Sequence, residues 1–253
     1  MSSTGRVLAI AGCKGGVGKT TTAINLGTAA CLNDRSALLV ETDLAMANVC
    51  DFLNLDFNPE RDPSLHDVLA DGRPIDSAVY DAPDGLRVLP SGATIDGFAN
   101  TDLNRLGTVV SLVREHYDLV LLDTPAGISR ETLYPMVLSD EVVLVSTPRV
   151  SAIRDTMKTL ELVERVGGSA AGLVLTHTGT GNAPPDERLA DFLGVELLGS
   201  IPEDAAVSTA QDSGRAVVAA SPSALAAKAY DRTFDRLEDR VPGSSSDVIN
   251  TTS

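Results

Sequence analysis

A glycine-rich loop near the amino end constrains this chain more than any other feature of its sequence. The segment CKGGVGKTT (13–21) follows the apolar run RVLAIAG (6–12) and precedes a helical stretch near 19–33. The glycines let the backbone turn tightly, so that successive N–H groups can converge on an anion at the start of the helix. Such a loop between a strand and a helix, ending in Gly-Lys-Thr, predicts a phosphate-binding site.

The residue types in this loop indicate how a nucleotide such as ATP would be held. We expect Lys19 to reach the β- and γ-phosphates, the hydroxyl of Thr20 to ligate Mg²⁺, and Thr21 to donate to the α-phosphate. The backbone of the preceding residues would surround the phosphates, which adds Gly15, Gly16, Val17 and Gly18. A chance glycine-rich turn is the alternative, and the complete motif in this setting disfavours it.

Two aspartates are candidates for the metal site and for hydrolysis. Asp123 ends the apolar run YDLVLLD (117–123), which places its carboxylate beside the Mg²⁺. Asp43 follows the run SALLVET (36–42), where it can orient the attacking water directly or through the metal shell. Glu41 lies two residues earlier and shares a strand face with position 43. Ordinary turn residues are the alternative for both aspartates.

Apolar runs of strand length alternate with helical stretches along the whole chain. The predicted strands are 6–12, 36–42, 86–92, 117–123, 141–147, 171–177 and 196–202. Helices are predicted near 19–33, 102–116, 130–138, 151–166, 185–193 and 222–240, with a short helix near 64–70 in a loop-rich segment, 54–85. The alternation predicts an α/β fold, a mostly parallel central sheet flanked by helices on both faces. We expect a single domain over 1–242 and a disordered polar tail over 243–253.

Composition restricts the surroundings and the partners of the chain. The net charge is -15, and lysine occurs only at positions 14, 19, 158 and 228, a composition like that of halophilic archaeal proteins. Such a surface offers no general basic face for nucleic acid. Three cysteines are too few for a disulfide framework, and no secretory signal precedes the first strand. We therefore expect a cytoplasmic protein, with residence at the membrane or a cell pole as an alternative.

Three segments together resemble the MinD/ParA family of deviant Walker ATPases. They are Lys14 before GGVGKTT, the segment ETDLAMANV (41–49) and DTPAGI (123–128), and later segments are more similar to MinD than to ParA. The resemblance implies an ATP-dependent homodimer in which Lys14 reaches the partner's nucleotide. It also implies that Asp43 supports slow hydrolysis, that DTPAGI senses the γ-phosphate, and that Lys14, Lys19, Asp43 and Asp123 are the catalytic set.

Several positions depart from the pattern of that family. Glu41 stands where relatives usually carry Asp, so the outer metal shell is expected to differ. Cys13 precedes the extra lysine and is taken as a small filler. Thr176 and His177 occupy the strand position where many relatives place an asparagine that contacts adenine. We take Thr176 and Pro202 as candidate nucleotide contacts.

The last predicted helix does not resemble the membrane-binding helix of bacterial MinD proteins. Its apolar row is Tyr230, Phe234, Leu237 and Val241, and its basic row is Lys228, Arg232, Arg236 and Arg240. Aspartates three residues after successive basic residues predict ion pairs within the helix. We expect a packed helix without an evident membrane anchor, with membrane binding as the alternative.

The predicted function is an ATPase that positions a cellular structure in response to an unknown activator or cargo protein. The alternatives are a ParA-like partition ATPase, for which DNA binding is disfavoured by the charge, and a scaffold that binds nucleotide without hydrolysing it. Iron–sulfur relatives are disfavoured because the chain lacks paired cysteines.

Overall fold

The computed structural model describes residues 4–92, 101–181 and 183–240. The strands of these residues are β1 Arg6–Ala11, β2 Ala37–Glu41, β3 Tyr80–Asp81, β4 Arg87–Leu89, β5 Leu119–Asp123, β6 Glu141–Ser146, β7 Ala170–Thr178 and β8 Leu197–Pro202. The α-helices are α1 Lys19–Leu32, α2 Val49–Phe52, α3 Leu65–Asp71, α4 Leu106–Val113, α5 Arg130–Leu138, α6 Val150–Arg165, α7 Asp186–Leu193, α8 Ala205–Asp212, α9 Val217–Ala220 and α10 Leu225–Asp239. The predicted tail, 243–253, lies outside the described residues.

The strands of the described residues form one sheet in the order β3-β4-β2-β5-β1-β6-β7-β8. Every pairing is parallel except that of the short β3 with β4. The central strands are buried on both faces, which is why they read as continuous apolar runs such as VLAIA and LVLL. The predicted α/β fold with a mostly parallel central sheet is confirmed.

Helices cover both faces of the sheet and enclose two apolar cores. The helices α1, α8, α9 and α10 pack on one face, and α3 to α7 contribute to the core on the other. Alternate residues of a strand enter opposite cores, as Leu8 and Ala9 of β1 illustrate. The resulting three layers leave the carboxyl ends of the parallel strands along one edge.

The structure adds elements that the sequence pattern did not predict. The helices α2, α8 and α9 and the two-residue strand β3 were not expected. The helix predicted near 102–116 is also shorter than expected. Its first part is a 3-10 turn, Leu103–Arg105, because the Asp102 carboxylate accepts from the N–H of Asn104 at 3.1 Å and closes the tighter turn.

The helix α10 is packed against the sheet along its apolar row. Tyr230, Phe234 and Leu237 are between 2% and 4% exposed. Their neighbours in the core come from α1 and β8, the elements that α10 contacts most closely. Val241, the fourth member of the predicted row, lies outside the described residues. Among the described helices, none combines the length and the apolar character that crossing a bilayer requires.

The basic residues at the end of α10 contact other elements, so the prediction of an ion pair within the helix is wrong for Arg236. Arg236 donates to the carbonyls of Leu197 and Leu198 at 3.0 and 3.1 Å. Arg240 pairs with Glu141 at 3.2 Å and also with Glu196. These guanidinium groups reach the strands because the helix lies directly on β8, and a long flexible side chain can span that separation.

We expect Phe234→Ala to lower the free energy of unfolding by about 3 kcal/mol, because it removes a buried aromatic ring and leaves a cavity. Denaturant unfolding in molar KCl, followed by circular dichroism, measures this loss. Asp235→Asn is the matched control, since Asp235 lies on the exposed side of the same helix turn. A Phe234→Ala protein as stable as the control would mean that α10 is not held against the sheet.

Candidate functional site

The glycine-rich loop leaves the sheet at the point where the strand order reverses. It follows β1, which lies between β5 and β6, so the loop stands above the crevice between neighbouring strands. Ligands of open α/β sheets bind at such switch points, outside the carboxyl ends of the strands. The loop ends where α1 begins at Lys19, and the first turn of that helix has no side-chain cap. Its free N–H groups are therefore available to an anion.

Two glycines give the loop its shape. Gly16 and Gly18 have φ angles of 75° and 87°, in the left-handed region that a side chain disfavours. A Cβ atom at Gly18 would also lie 3.3 Å from the methyl carbon of Thr176. Gly15 and Gly16 are exposed, and Gly15, Gly16 and Gly18 line a cavity of about 650 Å³. The loop is therefore already shaped to surround a phosphate.

Thr20 and Asp123 are joined by a hydrogen bond across this cavity floor. The Thr20 hydroxyl donates to Asp123 Oδ2 at 2.7 Å. The other oxygen of the same carboxylate, Oδ1, is buried and has no hydrogen-bond partner. Buried polar atoms are rarely left unpaired, so this atom is a position for a water or a cation. The predicted pair of metal ligands, Thr20 and Asp123, is thus brought together.

The chemistry of these donors fits Mg²⁺ bound together with a nucleotide. Mg²⁺ prefers oxygen ligands and is usually held by one or two carboxylates plus phosphates and waters. Among the described residues, no three His, Cys, Asp or Glu side chains gather into a metal site of their own. Thr20, Asp123 and Asp43 line the same cavity as the loop glycines, so a metal here would be shared with the phosphates.

Burial shifts the pKa values of both ionisable groups on the floor of the cavity. Burial raises the pKa of Asp123 to about 7, although the hydrogen bond from Thr20 acts in the opposite direction. Burial likewise lowers the pKa of Lys19, and the nearby charges of Asp123 and Asp43 partly restore it. Lys19 is 8% exposed, and its ammonium nitrogen lies 3.4 Å from the carbonyl oxygen of Lys14. The hydrogen bond from Thr20 is thus the main compensation for burying Asp123, and the two aspartates are the main compensation for burying Lys19.

The loop that follows β2 carries the second aspartate. Asp43 lines the 650 Å³ cavity with Lys19 and Asp123, and its Oδ1 accepts from the N–H of Met46 at 3.0 Å. Glu41 points elsewhere, since its carboxylate accepts three backbone N–H groups. Burial raises the pKa of Glu41, and those three bonds counteract the effect. The two acids therefore have different surroundings although they are two residues apart.

Lys14 lies at the rim of the loop and is held by an aspartate of α6. Its Nζ atom is 3.1 Å from Asp155 Oδ2, and 41% of its side chain is exposed. Lys158 pairs with the other oxygen of Asp155 at 3.0 Å. With Val17, Lys14 lines a further cavity of about 800 Å³ on the outer side of the loop. The amine is thus directed away from the cavity that contains Lys19.

Beside the phosphate cavity lies a second cavity of about 570 Å³, and Gly18 and Thr21 line both. Thr176 and Pro202 are in its wall. The Thr176 hydroxyl donates to the carbonyl of Val17 at 2.7 Å, so its hydrogen is already used to support the loop. Contact of Thr176 with a base would have to come from its methyl group or its oxygen.

His177 and Gln211 also line this second cavity, and neither was predicted as a nucleotide contact. His177 has a φ of 52°, lines all three cavities and lies 3.9 Å from a carboxylate oxygen of Glu203. Gln211, on α8, lies between the phosphate cavity and the second cavity. No sequence pattern indicated Gln211, because α8 was not predicted. His177 was noted only because relatives place an adenine-contacting asparagine in this part of the strand.

The segment after β5 is tied to the loop at its first residues. The N–H of Gly127 donates to the Cys13 carbonyl at 3.0 Å, and the Thr124 hydroxyl donates to the carbonyl of Ile10 at 2.9 Å. Cys13 itself is 2.7 Å from the Thr159 hydroxyl and fills space against α6. The segment is therefore bonded to the loop through Gly127 and to the end of β1 through Thr124.

Comparisons with known proteins identify similar sequences and similar folds. A family model described as an AAA domain matches residues 5–170. An uncharacterized ATP-binding protein of Methanocaldococcus jannaschii is 32% identical over 88% of this chain and 84% of its own length. The cell division ATPase MinD of Pyrococcus furiosus has a TM-score of 0.87 at 33% identity, covering 93% of this chain and 99% of that one. The septum site-determining protein MinD of Pyrococcus horikoshii, complexed with Mg-ADP, has the same TM-score at 30% identity, covering 94% and 97%.

The raised pKa of Asp123 predicts a pH dependence of stability in the metal-free, nucleotide-free protein. The folded state holds this proton more tightly than the unfolded chain, so the stabilisation is complete below the ordinary carboxyl pKa and is lost as the pH rises towards about 7. Asp123→Asn keeps the shape and the acceptor for Thr20 but has no charge to bury.

We therefore expect Asp123→Asn to raise the melting temperature at about pH 8 and to change it much less at about pH 4. Thermal unfolding with a chelator present measures both values. Asp118→Asn is the contrasting control. Asp118 lies just before β5, at the opposite end of that strand from Asp123, and hydrogen bonds from Ser36 lower its pKa instead of raising it. An Asp123→Asn protein that is destabilised equally at both pH values would contradict the assignment.

Proposed function

The chain belongs to the MinD/ParA family of P-loop ATPases, and from this membership we propose that it hydrolyses ATP slowly and dimerises when ATP is bound. The observation that supports hydrolysis most directly is the convergence of Lys19, Thr20, Asp43 and Asp123 on one cavity below the phosphate loop. To the groups that bind phosphate and metal, Asp43 adds an acid that can orient the attacking water.

The residues have separate parts in the proposed reaction. The free N–H groups at the start of α1 and the ammonium of Lys19 bind the phosphate oxygens and neutralise their charge. When bound with the nucleotide, Mg²⁺ would supply further neutralisation of that charge, and Thr20 and Asp123 would hold it. Asp43 orients the attacking water. Phosphoryl transfer depends mainly on such positioning and charge neutralisation.

Dimerisation is supported by the surroundings of Lys14 and by exposed apolar residues. Met46, Ile128 and Val150 are 73%, 55% and 63% exposed. They follow β2, β5 and β6, so all three lie at the edge of the sheet that carries the phosphate loop. Large apolar side chains exposed together at a site indicate a surface that another protein covers. A second copy of the chain facing this edge would bring its Lys14 near the nucleotide.

The cellular role is proposed from the relatives. The two Pyrococcus proteins are named for cell division and for determining the septum site. We propose that this chain likewise positions a cellular structure, such as a division site, motility machinery or an element of cell shape, under an activator or cargo protein. The alternatives are a ParA-like partition ATPase and a scaffold that nucleotide switches without turnover.

We expect the Asp43→Ala variant to be a dimer at saturating ATP and a monomer with ADP. The substitution removes the residue that orients water but leaves the phosphate loop intact, so ATP remains bound. Light scattering after size-exclusion chromatography in molar KCl measures the mass, and a phosphate-release assay of the unmutated chain measures turnover. A monomer at saturating ATP would contradict ATP-dependent dimerisation. A dimer of the unmutated chain that released no phosphate would favour the alternative of a scaffold that binds nucleotide without hydrolysing it.

We expect Lys14→Ala to weaken ATP-dependent dimerisation at least about 10-fold while nucleotide affinity changes less than about 3-fold, since the amine is directed away from its own phosphate cavity. Lys158→Ala is the matched control, because Lys158 pairs with the same Asp155 but lies outside the three cavities. If Lys14→Ala weakened nucleotide affinity more than dimerisation, Lys14 would instead act on the nucleotide bound to its own protomer.

A further inference from the structure

The carboxylate of Glu41 has an arrangement that neither metal binding nor hydrolysis requires. Glu41 is the last residue of β2 and lies beside Asp123 in the register of the sheet. It is 1% exposed. An acid at this place is well situated to enter the shell of a metal. Its oxygens are instead occupied by backbone groups from two other segments.

Three backbone N–H groups donate to Glu41. Oε1 accepts from Asn48 and Val49 at 2.6 and 2.9 Å, and Oε2 accepts from Ser91 at 3.1 Å. Asn48 and Val49 begin the short helix α2, and Ser91 lies two residues beyond β4. One side chain therefore joins the end of β2, the start of α2 and the end of β4.

The loop closed by Glu41 contains Asp43. Residues 42–47 lie between the carboxylate and its two partners at 48 and 49, so the side chain fixes both ends of the loop. The Ser91 hydroxyl adds a bond to the carbonyl of Asp43 at 3.0 Å. Thr42 is held from the other side, since its N–H and hydroxyl donate to the Asp123 carbonyl at 3.0 and 2.7 Å. The backbone of Asp43 is thus fixed between β4 and β5.

We propose that Glu41 is a positioning residue that sets the place of Asp43 through the backbone of its loop, and that it is not part of the metal shell. The proposal rests on the proposed function, because it assigns Glu41 a part in the hydrolysis that Asp43 supports. It also accounts for the length of the side chain. An aspartate at this position would place its carboxylate one methylene closer to the backbone of β2, and so further from the N–H groups of α2 and Ser91.

Glu41→Gln tests the proposal with little change of shape. The amide keeps one oxygen, so it can accept from α2 or from Ser91 but not from both, and its NH₂ would face an N–H donor. We expect kcat to fall about 10-fold or more, since small displacements of a catalytic group have effects of that size, while nucleotide affinity stays within about 2-fold. Asp51→Asn is the matched control, because it removes the same charge from an exposed acid of α2.

Two measurements separate positioning from metal binding and from a merely structural role. In an Asp43→Ala background, Glu41→Gln should lower kcat by less than about 2-fold more, because a residue that acts through Asp43 has no further effect once Asp43 is gone. The Mg²⁺ concentration for half-maximal activity should also stay within about 2-fold, whereas loss of a residue that supports the metal costs 10-fold or more. An additive effect in the double variant, or a 10-fold shift in the Mg²⁺ requirement, would overturn the proposal.

Hydrogen exchange tests the bonds independently of activity. Glu41→Gln should speed exchange at the N–H groups of Asn48, Val49 or Ser91 at least about 10-fold, and Asp51→Asn should not. Unchanged exchange at all three groups would overturn the proposal even if kcat fell. If the unmutated chain released no phosphate from ATP, the proposed function would fail and the catalytic part of this inference with it, while faster exchange would still establish Glu41 as the group that closes the loop.

Discussion

The hydrogen bond between Thr20 and Asp123 is the contact on which the rest of the site depends. It joins the first turn of α1 to the end of β5, the strand between β2 and β1. Burying a carboxylate is costly unless it is paired and hydrogen-bonded. Thr20 supplies a hydroxyl and Lys19 a positive charge. These two residues at the start of the helix therefore offset part of the cost of that burial, and the hydrogen bond fixes the phosphate loop relative to the sheet.

Much of the fold was predictable because its central strands are buried on both faces. Such strands read as uninterrupted apolar runs, and all seven runs assigned from the sequence contain strands, six of them to within two residues at each end; the strand in 86–92 ends three residues early, at Leu89. The helices α8 and α9 were missed for an equally physical reason. Their sequences, AAVSTAQD and VVAA, show little contrast between an apolar and a polar side. Short helices of this kind are stabilised by tertiary packing rather than by their own pattern.

The phosphate side of the site was predictable from one motif, whereas for the second cavity the family resemblance indicated only Thr176 and Pro202. Lys19, Thr20 and Thr21 are consecutive, so one motif fixes their relation to the loop. The second cavity is built mainly from β7, β8 and α8, which are distant in sequence from the phosphate loop. Its residues share no spacing that a motif could reveal. The hydrogen bond from Thr176 to Val17 illustrates the difference, since it joins positions 159 residues apart.

Glu41 and Asp43 show why a short acidic motif does not assign roles by itself. The two side chains are separated by one residue, yet one is surrounded by backbone N–H groups and the other lines a cavity. Alternation along a strand ends with the strand, and beyond it the turn decides where each side chain points. The turn after β2 depends on Ser91, from a segment that no local pattern connects to it. A carboxylate that accepts three N–H groups has one remaining lone-pair direction, so its first effect is on the backbone it binds. On this reasoning, the acid nearest the sheet governs geometry, and the acid in the loop is left free for chemistry.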